Sequence, residues 1–287
     1  MGVRFFLALL AAVTAVTATP VTAARGARLP IPMPAASGQA SAASTASPGI
    51  VYETKTVERR DPDCQAGQGR CAYITFQYPV IVRAPSRAAA DAINDAVSEF
   101  LLWRLQAAPY KTIDAAMDGF MQWWLEAKAQ GPPGAVPVYW EERTVKVLYG
   151  SPRIASLEFD DGSFTGGAHP NYYSAYQNFD VLTGAKIHLG DILVQGYQAP
   201  LTRIAEQRFR KDKGLESGAS LRQAGYTFDN DRFRLTDNFA IGPEGLTFQY
   251  NLYEIASYAQ GITVILIEYG EIKTLIRPDG PLGSLRR

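Results

Sequence analysis

Two histidines, His169 and His188, set the range of chemistry open to this chain. A zinc site would combine them with carboxylates such as Asp160, Asp161 or Glu254. Nothing here has the HExxH spacing that puts two ligands on one helical face. A serine hydrolase would bring Ser163, His169 and an acid together, yet no nucleophile-elbow pattern surrounds either residue. A glycosidase would use two carboxyl groups flanking a cleft. Asp160, Asp161, Glu244 and Glu254 are available for that, as carboxylates are in any protein, and Glu244 is better explained by its turn. Gly166-Gly167 lacks the Lys-Ser/Thr and the following helix of a phosphate loop. The sequence therefore predicts no enzyme, no metal and no cofactor.

Binding chemistry is better represented. His169 sits in Ser163-Phe164-Thr165-Gly166-Gly167-Ala168-His169-Pro170-Asn171-Tyr172-Tyr173. Gly166 and Gly167 would let a ligand approach the backbone closely. The imidazole either contacts a partner or bonds a neighbouring carbonyl to hold the turn. Downstream, Tyr253-Glu254-Ile255-Ala256-Ser257-Tyr258 follows Tyr250. Tyrosine offers an apolar face and a polar tip, suited to partner contacts and to stacking on sugars. The competing reading is half-buried packing with the hydroxyls bonded. Met117, Met121 and Trp124 recur at helical spacing and read as a core stripe.

The elements that must carry these residues follow from periodicity. Ile50–Val57 reads as a strand, and Ile74, Phe76 and Tyr78 alternate as in another. Pro79 should end that strand or place it at an edge. Ile93, Val97, Phe100, Leu101 and Leu105 share one helical face behind a Ser86 N-cap. A second helix opens at Thr112 and buries Phe120 and Trp124; Gly131-Pro132-Pro133-Gly134 stops it. Strands resume at 136–149 and 153–160, and again at 175–182. After the Thr183-Gly184 turn, Lys186-Ile187-His188-Leu189 continues the extended run. Leu201, Ile204, Ala205 and Phe209 mark a third helix. Phe233–Ile241 and Leu246–Leu252 form a hairpin about Gly242-Pro243-Glu244-Gly245, and Ile262–Tyr269 is a last strand. Segregated strands and helices predict an α+β fold. It has mixed or antiparallel sheets, two helices packed in the N-terminal half and one in the C-terminal half.

The Gly166–Tyr173 run leads into Asn178-Phe179-Asp180 and Thr183-Gly184. With Pro243-Glu244-Gly245-Leu246 and the Tyr253–Tyr258 segment, it resembles the RsiV-like and PdaC-like family of extracytoplasmic domains of unknown function. The resemblance covers roughly residues 50–275 and is strongest from 160 onward. It implies a secreted cell-envelope binding or sensing module that recognises lysozyme-like proteins or peptidoglycan. The alternative is an envelope glycan-modifying enzyme with an unrecognised site. The residues expected to meet a ligand or partner are Gly166, Gly167, His169, Asn171, Tyr172, Tyr253, Glu254 and Tyr258. The implied organisation is an N-terminal PdaC-like lobe over 50–150 and a C-terminal RsiV-like lobe over 151–280.

The chain ends and composition agree with export. Residues 1–24 read as a signal peptide: Arg4, an apolar run from Phe5 to Val16 shorter than the ~20 residues of a membrane span, then Thr22-Ala23-Ala24. Residues 25–49 are Ala-, Ser- and Pro-rich and read as a disordered tether. No membrane span remains after cleavage, and the protein is expected to be periplasmic or secreted. Lys and Arg number 28, as do Asp and Glu, and no basic run suggests nucleic acid. The two cysteines, Cys64 and Cys71, enclose a polar loop and should form a disulfide in an oxidising compartment. Closing so short a loop is expected to contribute about 2–3 kcal/mol. Intact-mass measurement of exported protein should find cleavage near Ala24 and no free thiol.

Overall fold

The computed structural model describes residues 44–47, 49–62, 71–103, 110–132 and 137–286. The expected leader, most of the tether and Cys64 lie outside the described residues, and the Cys64–Cys71 bond with them. The fold is α+β. A six-stranded mixed sheet carries β1 (Ser44–Ser47), β2 (Ile50–Arg60), β3 (Ala72–Arg83), β4 (Tyr139–Gly150), β5 (Ile154–Phe164) and β6 (Asn171–Asp180) in that spatial order. Only β3 and β4 run parallel. Between them the chain crosses through α1 (Arg87–Leu102) and α2 (Ile113–Gln130). A smaller antiparallel sheet holds β7 (Phe239–Ile241), β8 (Gly245–Tyr250) and β9 (Thr263–Glu268). Ahead of it come a single turn, α3 (Leu189–Ile192), and α4 (Gln198–Asp212).

Both N-terminal helices begin where side chains cap them. Ser86 accepts from Ala89 N–H, and Thr112 from Ala115 N–H. Their apolar faces bury Ile93, Val97, Leu101, Met117, Phe120 and Trp124 against Ile74, Phe76, Val145, Leu157 and Phe159 of the sheet. Trp124 also donates from its indole to the Pro137 carbonyl at 3.0 Å. The second core gathers Phe209 of α4 with Tyr226, Phe228 and Phe233, while Phe228 and Phe233 also meet Tyr250 of β8 edge-on.

Four local expectations need correction. Pro79 neither ends β3 nor marks an edge strand: it sits within the strand, paired with Thr54. The parallel pairing of β3 with β4 stops at Gln77 and Thr144, so the missing N–H costs no bond on that side. Residues 186–193 form no strand, only isolated bridges from Lys186 to Phe179 and from Leu193 to Ile276. Asp191 accepts from His188 N–H at 2.8 Å and starts α3 instead. Residues 233–238 are not strand, because Phe233 turns into the aromatic core and Asn238 bonds β6. The tether, finally, ends in structure: Ser44–Ser47 pairs antiparallel with Ile50–Glu53, a backbone ladder that needs no apolar side chain.

One buried charge cluster locks α1 to the sheet. Arg143 of β4 is 2% exposed. Its Nε lies 2.9 Å from both Glu141 and Asp161 carboxyl oxygens. Its other donors reach the carbonyls of Phe100, Leu101 and Trp103, closing the C-terminal end of α1. One cation thus faces two carboxyl groups in a buried place. Burial, with the Asp161 carboxylate beside it, outweighs Arg143 and pushes the Glu141 carboxyl up to about 8. The folded state therefore holds a proton that the unfolded chain releases near the ordinary value of 4.5. That stabilisation is complete below the unfolded pKa and is lost as pH rises through the folded one. Urea titrations should show unfolding free energy falling as pH rises from about 5 to 8, with this group contributing to the fall. Glu141→Gln, which mimics the protonated acid, should flatten that slope.

Candidate functional site

The large sheet has two unlike faces. Alternate residues of β4, namely Glu141, Arg143 and Val145, point toward α1 and α2 and are buried. Trp140, Glu142 and Lys146 point the other way. That second face is held by no helix of the pair, and its outermost strand is β6.

How β6 ends the sheet decides where the site forms. Ser174 and Tyr176 turn backbone groups away from β5, and asparagine amides answer them. Asn251 accepts from Ser174 N–H at 2.8 Å and donates to its carbonyl at 3.0 Å. Asn238 accepts from Tyr176 N–H at 2.8 Å and also donates to Ser174 O. From β6 itself, buried Asn178 donates to Phe239 O and accepts from Ile241 N–H, both at 2.9 Å, while also accepting from Ser156. Side chains thus do the work of a strand ladder and fasten the small sheet to the large one.

This fastening brings together two loops that are far apart in sequence. The first follows β5, where Gly166 and Gly167 take φ of 97° and 114°, a conformation that favours glycine, and are exposed. His169 then turns toward the second loop, after β8. Its Nδ1 lies 3.0 Å from the Pro170 carbonyl, which can only accept, so Nδ1 carries the proton. In the neutral ring Nε2 accepts from the Tyr253 hydroxyl at 2.9 Å. The imidazole also stacks on Tyr258, centroids 3.8 Å apart and planes 21° from parallel. The bond to the Pro170 carbonyl is the turn-bracing role expected for His169, and the reach to a distant tyrosine adds a contact within the chain. Tyr253 is 60% exposed and takes φ of +64°, unusual for a side chain of its size.

The other expected residues are distributed around this contact. Tyr172 is exposed on β6, and burial first, then the nearby Tyr258 and Glu142, raises its phenol pKa. Asn171 opens β6 and is exposed. Glu254 is exposed but turned back into its loop, accepting from Asn251 N–H at 2.8 Å, so one of its oxygens braces the turn. Tyr250 is fully buried and donates to the Arg234 carbonyl, as the packing reading had it. His188 stands at the start of α3. Among the described residues no three His, Cys, Asp or Glu side chains gather as a metal site would need.

Three residues that sequence reasoning passed over extend the patch. Trp140 lies beside Tyr172, centroids 6.1 Å apart, and Tyr73 of β3 stacks alongside Trp140 at 6.4 Å and 12°. Gly162 of β5, which pairs with Tyr172, makes this meeting possible: a Cβ there would come within 3.3 Å of both Tyr172 and Trp140. Alternation with Thr75 and Glu142 was the available signal, but only the strand register sets these rings in one row.

Residues 66–172 match the family described as deacetylase PdaC, and residues 190–270 match a protein family of unknown function, DUF3298. The chain is thus PdaC-like in its first part and DUF3298-like in its second. A solved DUF3298 family member from Bacteroides fragilis is similar in fold, with a TM-score of 0.64 and 20% identity over 84% of this chain and 99% of its own. One from Pseudomonas aeruginosa has a TM-score of 0.59 and 20% identity over 80% and 95%. No curated protein matches the chain. His169 and Tyr172 fall in the first matched region and Tyr253 and Tyr258 in the second, so the patch spans both.

The asparagine bonds are expected to be costly to remove. Asn178→Ala would leave Phe239 O and Ile241 N–H buried without partners, and should lower unfolding free energy by roughly 2–4 kcal/mol in denaturant titration.

Proposed function

We propose that this chain, PdaC-like and DUF3298-like, is a non-catalytic extracytoplasmic module that binds cell-envelope ligands. Its recognition surface is the patch formed by His169, Tyr172, Tyr253 and Tyr258. The observation that carries the reading is the contact between His169 and Tyr253, residues 84 positions apart that meet at the surface rather than in the core. A loop pair held on a rigid scaffold is the usual way to present contacts. Tyrosine rings there supply apolar area with little entropy to lose on binding. Holding Tyr253 at positive φ costs about 1–3 kcal/mol, a strain that persists when surroundings over-determine it and that clusters at functional sites. The PdaC-like match supports an extracellular setting, and no described helix is long and apolar enough to cross a membrane. The resemblance to the RsiV-like family adds lysozyme-like proteins and peptidoglycan as the first ligands to try.

The test is retention of the purified protein on immobilised lysozyme and on insoluble peptidoglycan. Tyr253→Ala should weaken binding by about 2 kcal/mol or more, and His169→Ala should weaken it too, with the fold kept. Lower melting temperature with unchanged affinity in the remaining folded protein would assign both residues to bracing alone. Release of acetate or sugar from peptidoglycan, lost in His169→Ala, would replace binding by catalysis.

A further inference from the structure

Resting on that reading, we infer that the ligand is a neutral polysaccharide strand, bound along the row of rings Tyr73, Trp140 and Tyr172 on the face of the large sheet turned away from α1 and α2. Three observations lead there. First, the rings come from β3, β4 and β6 and tile side by side instead of entering the core, with centroid spacings of 6.4 and 6.1 Å. Tyr172 is 39% exposed, and Tyr73 and Trp140 are partly exposed. Second, the tile is continuous only because β5 contributes no side chain at Gly162. A sheet gains nothing from a glycine there by propensity, since glycine weakens strand interiors; what the position supplies is a continuous aromatic surface crossing four strands, near-planar from Tyr73 to Trp140 and tilted by 46° at Tyr172. Third, the polar rim suits hydroxyl groups. Glu142 already accepts from the Tyr73 hydroxyl at 2.8 Å, and Arg60 lies over the Tyr73 ring at 5.0 Å while its guanidinium is held by Glu58.

The charge of this face selects among strands. Its cations are already engaged: Arg60 by Glu58, and Lys146 by Asp160 and Glu158. With Glu142 added, carboxylates outnumber cations, so a polyanion would be repelled. A sugar chain without charge matches: the C–H faces of its rings cover aromatic surface, and its hydroxyls donate to the carboxylates. The row ends on Tyr172, three residues after His169, whose ring stacks on Tyr258. A strand of several sugars would therefore begin on Tyr73 and end at His169.

The probe is a soluble neutral oligomer of β-linked N-acetylglucosamine, titrated into the whole mature protein with calorimetry and tryptophan fluorescence as readouts. Saturable binding is expected, weakening about tenfold or more in Trp140→Ala and in Tyr172→Ala. Heparin, a polyanionic glycan, should not compete. Tyr172→Ala serves as the control on folding, because its ring is exposed and its loss should leave the melting temperature nearly unchanged. Absence of saturable binding at millimolar oligomer, or equal affinity in both variants, overturns the inference. Capture on lysozyme that is lost in Tyr253→Ala but kept in Trp140→Ala overturns it too, while leaving the binding function standing. Failure on lysozyme, peptidoglycan and oligomer together removes both.

Discussion

A sheet that stops leaves a row of backbone donors and acceptors on its last strand, and these must be satisfied or exposed. In this chain β6 is that strand: the amides of Asn238 and Asn251 bond its backbone, and Asn178 on β6 does the same for the backbone of β7. An amide can donate and accept at once, so each asparagine imitates a peptide group. The small sheet is thereby fixed against β6 without extending the ladder, and its loop after β8 comes to rest beside the loop after β5. The His169 contact with Tyr253 and Tyr258 follows from that fastening.

A second constraint acts on the opposite face. Arg143 spends its donors on two carboxyl groups and three carbonyls at the end of α1. A buried ionic cluster of this kind is weak as a source of stability but demanding in geometry. It fixes α1 against β4 and β5. Because those same strands carry Trp140 and Gly162 outward, alternation along them couples the buried cluster on one face to the ring row on the other. The helix side is closed by this cluster.

The sheet also explains why the rings are so placed. Tyr73 and Trp140 are level because β3 and β4 are parallel neighbours in that register. Tyr172 meets Trp140 across a strand that lacks a side chain at 162. A one-residue slip in β4 would turn Trp140 into the core and Glu141 into solvent, which the packing of α1 forbids.

The sequence by itself determined the elements whose signals are local. Helical spacing placed α1, α2 and α4, and Phe120 and Trp124 are buried as their periodicity required. Alternation found most strands, and the segregation of elements yielded the α+β class. It also singled out His169, Tyr253 and Tyr258, since a histidine among glycines and a tyrosine-rich segment stand out from their neighbours. What only the tertiary structure decided is non-local. Pro79 is tolerated because of where its neighbouring strand stops. Residues 233–238 left the hairpin because Asn238 found β6, and Glu254 turned inward to bond Asn251. Tyr73, Trp140 and Gly162 became one surface only through strand register. Residue type and spacing fix what a segment can do alone. They do not specify which distant backbone will receive an asparagine, or which rings will be set side by side, because those energies arise only when separate strands are in contact.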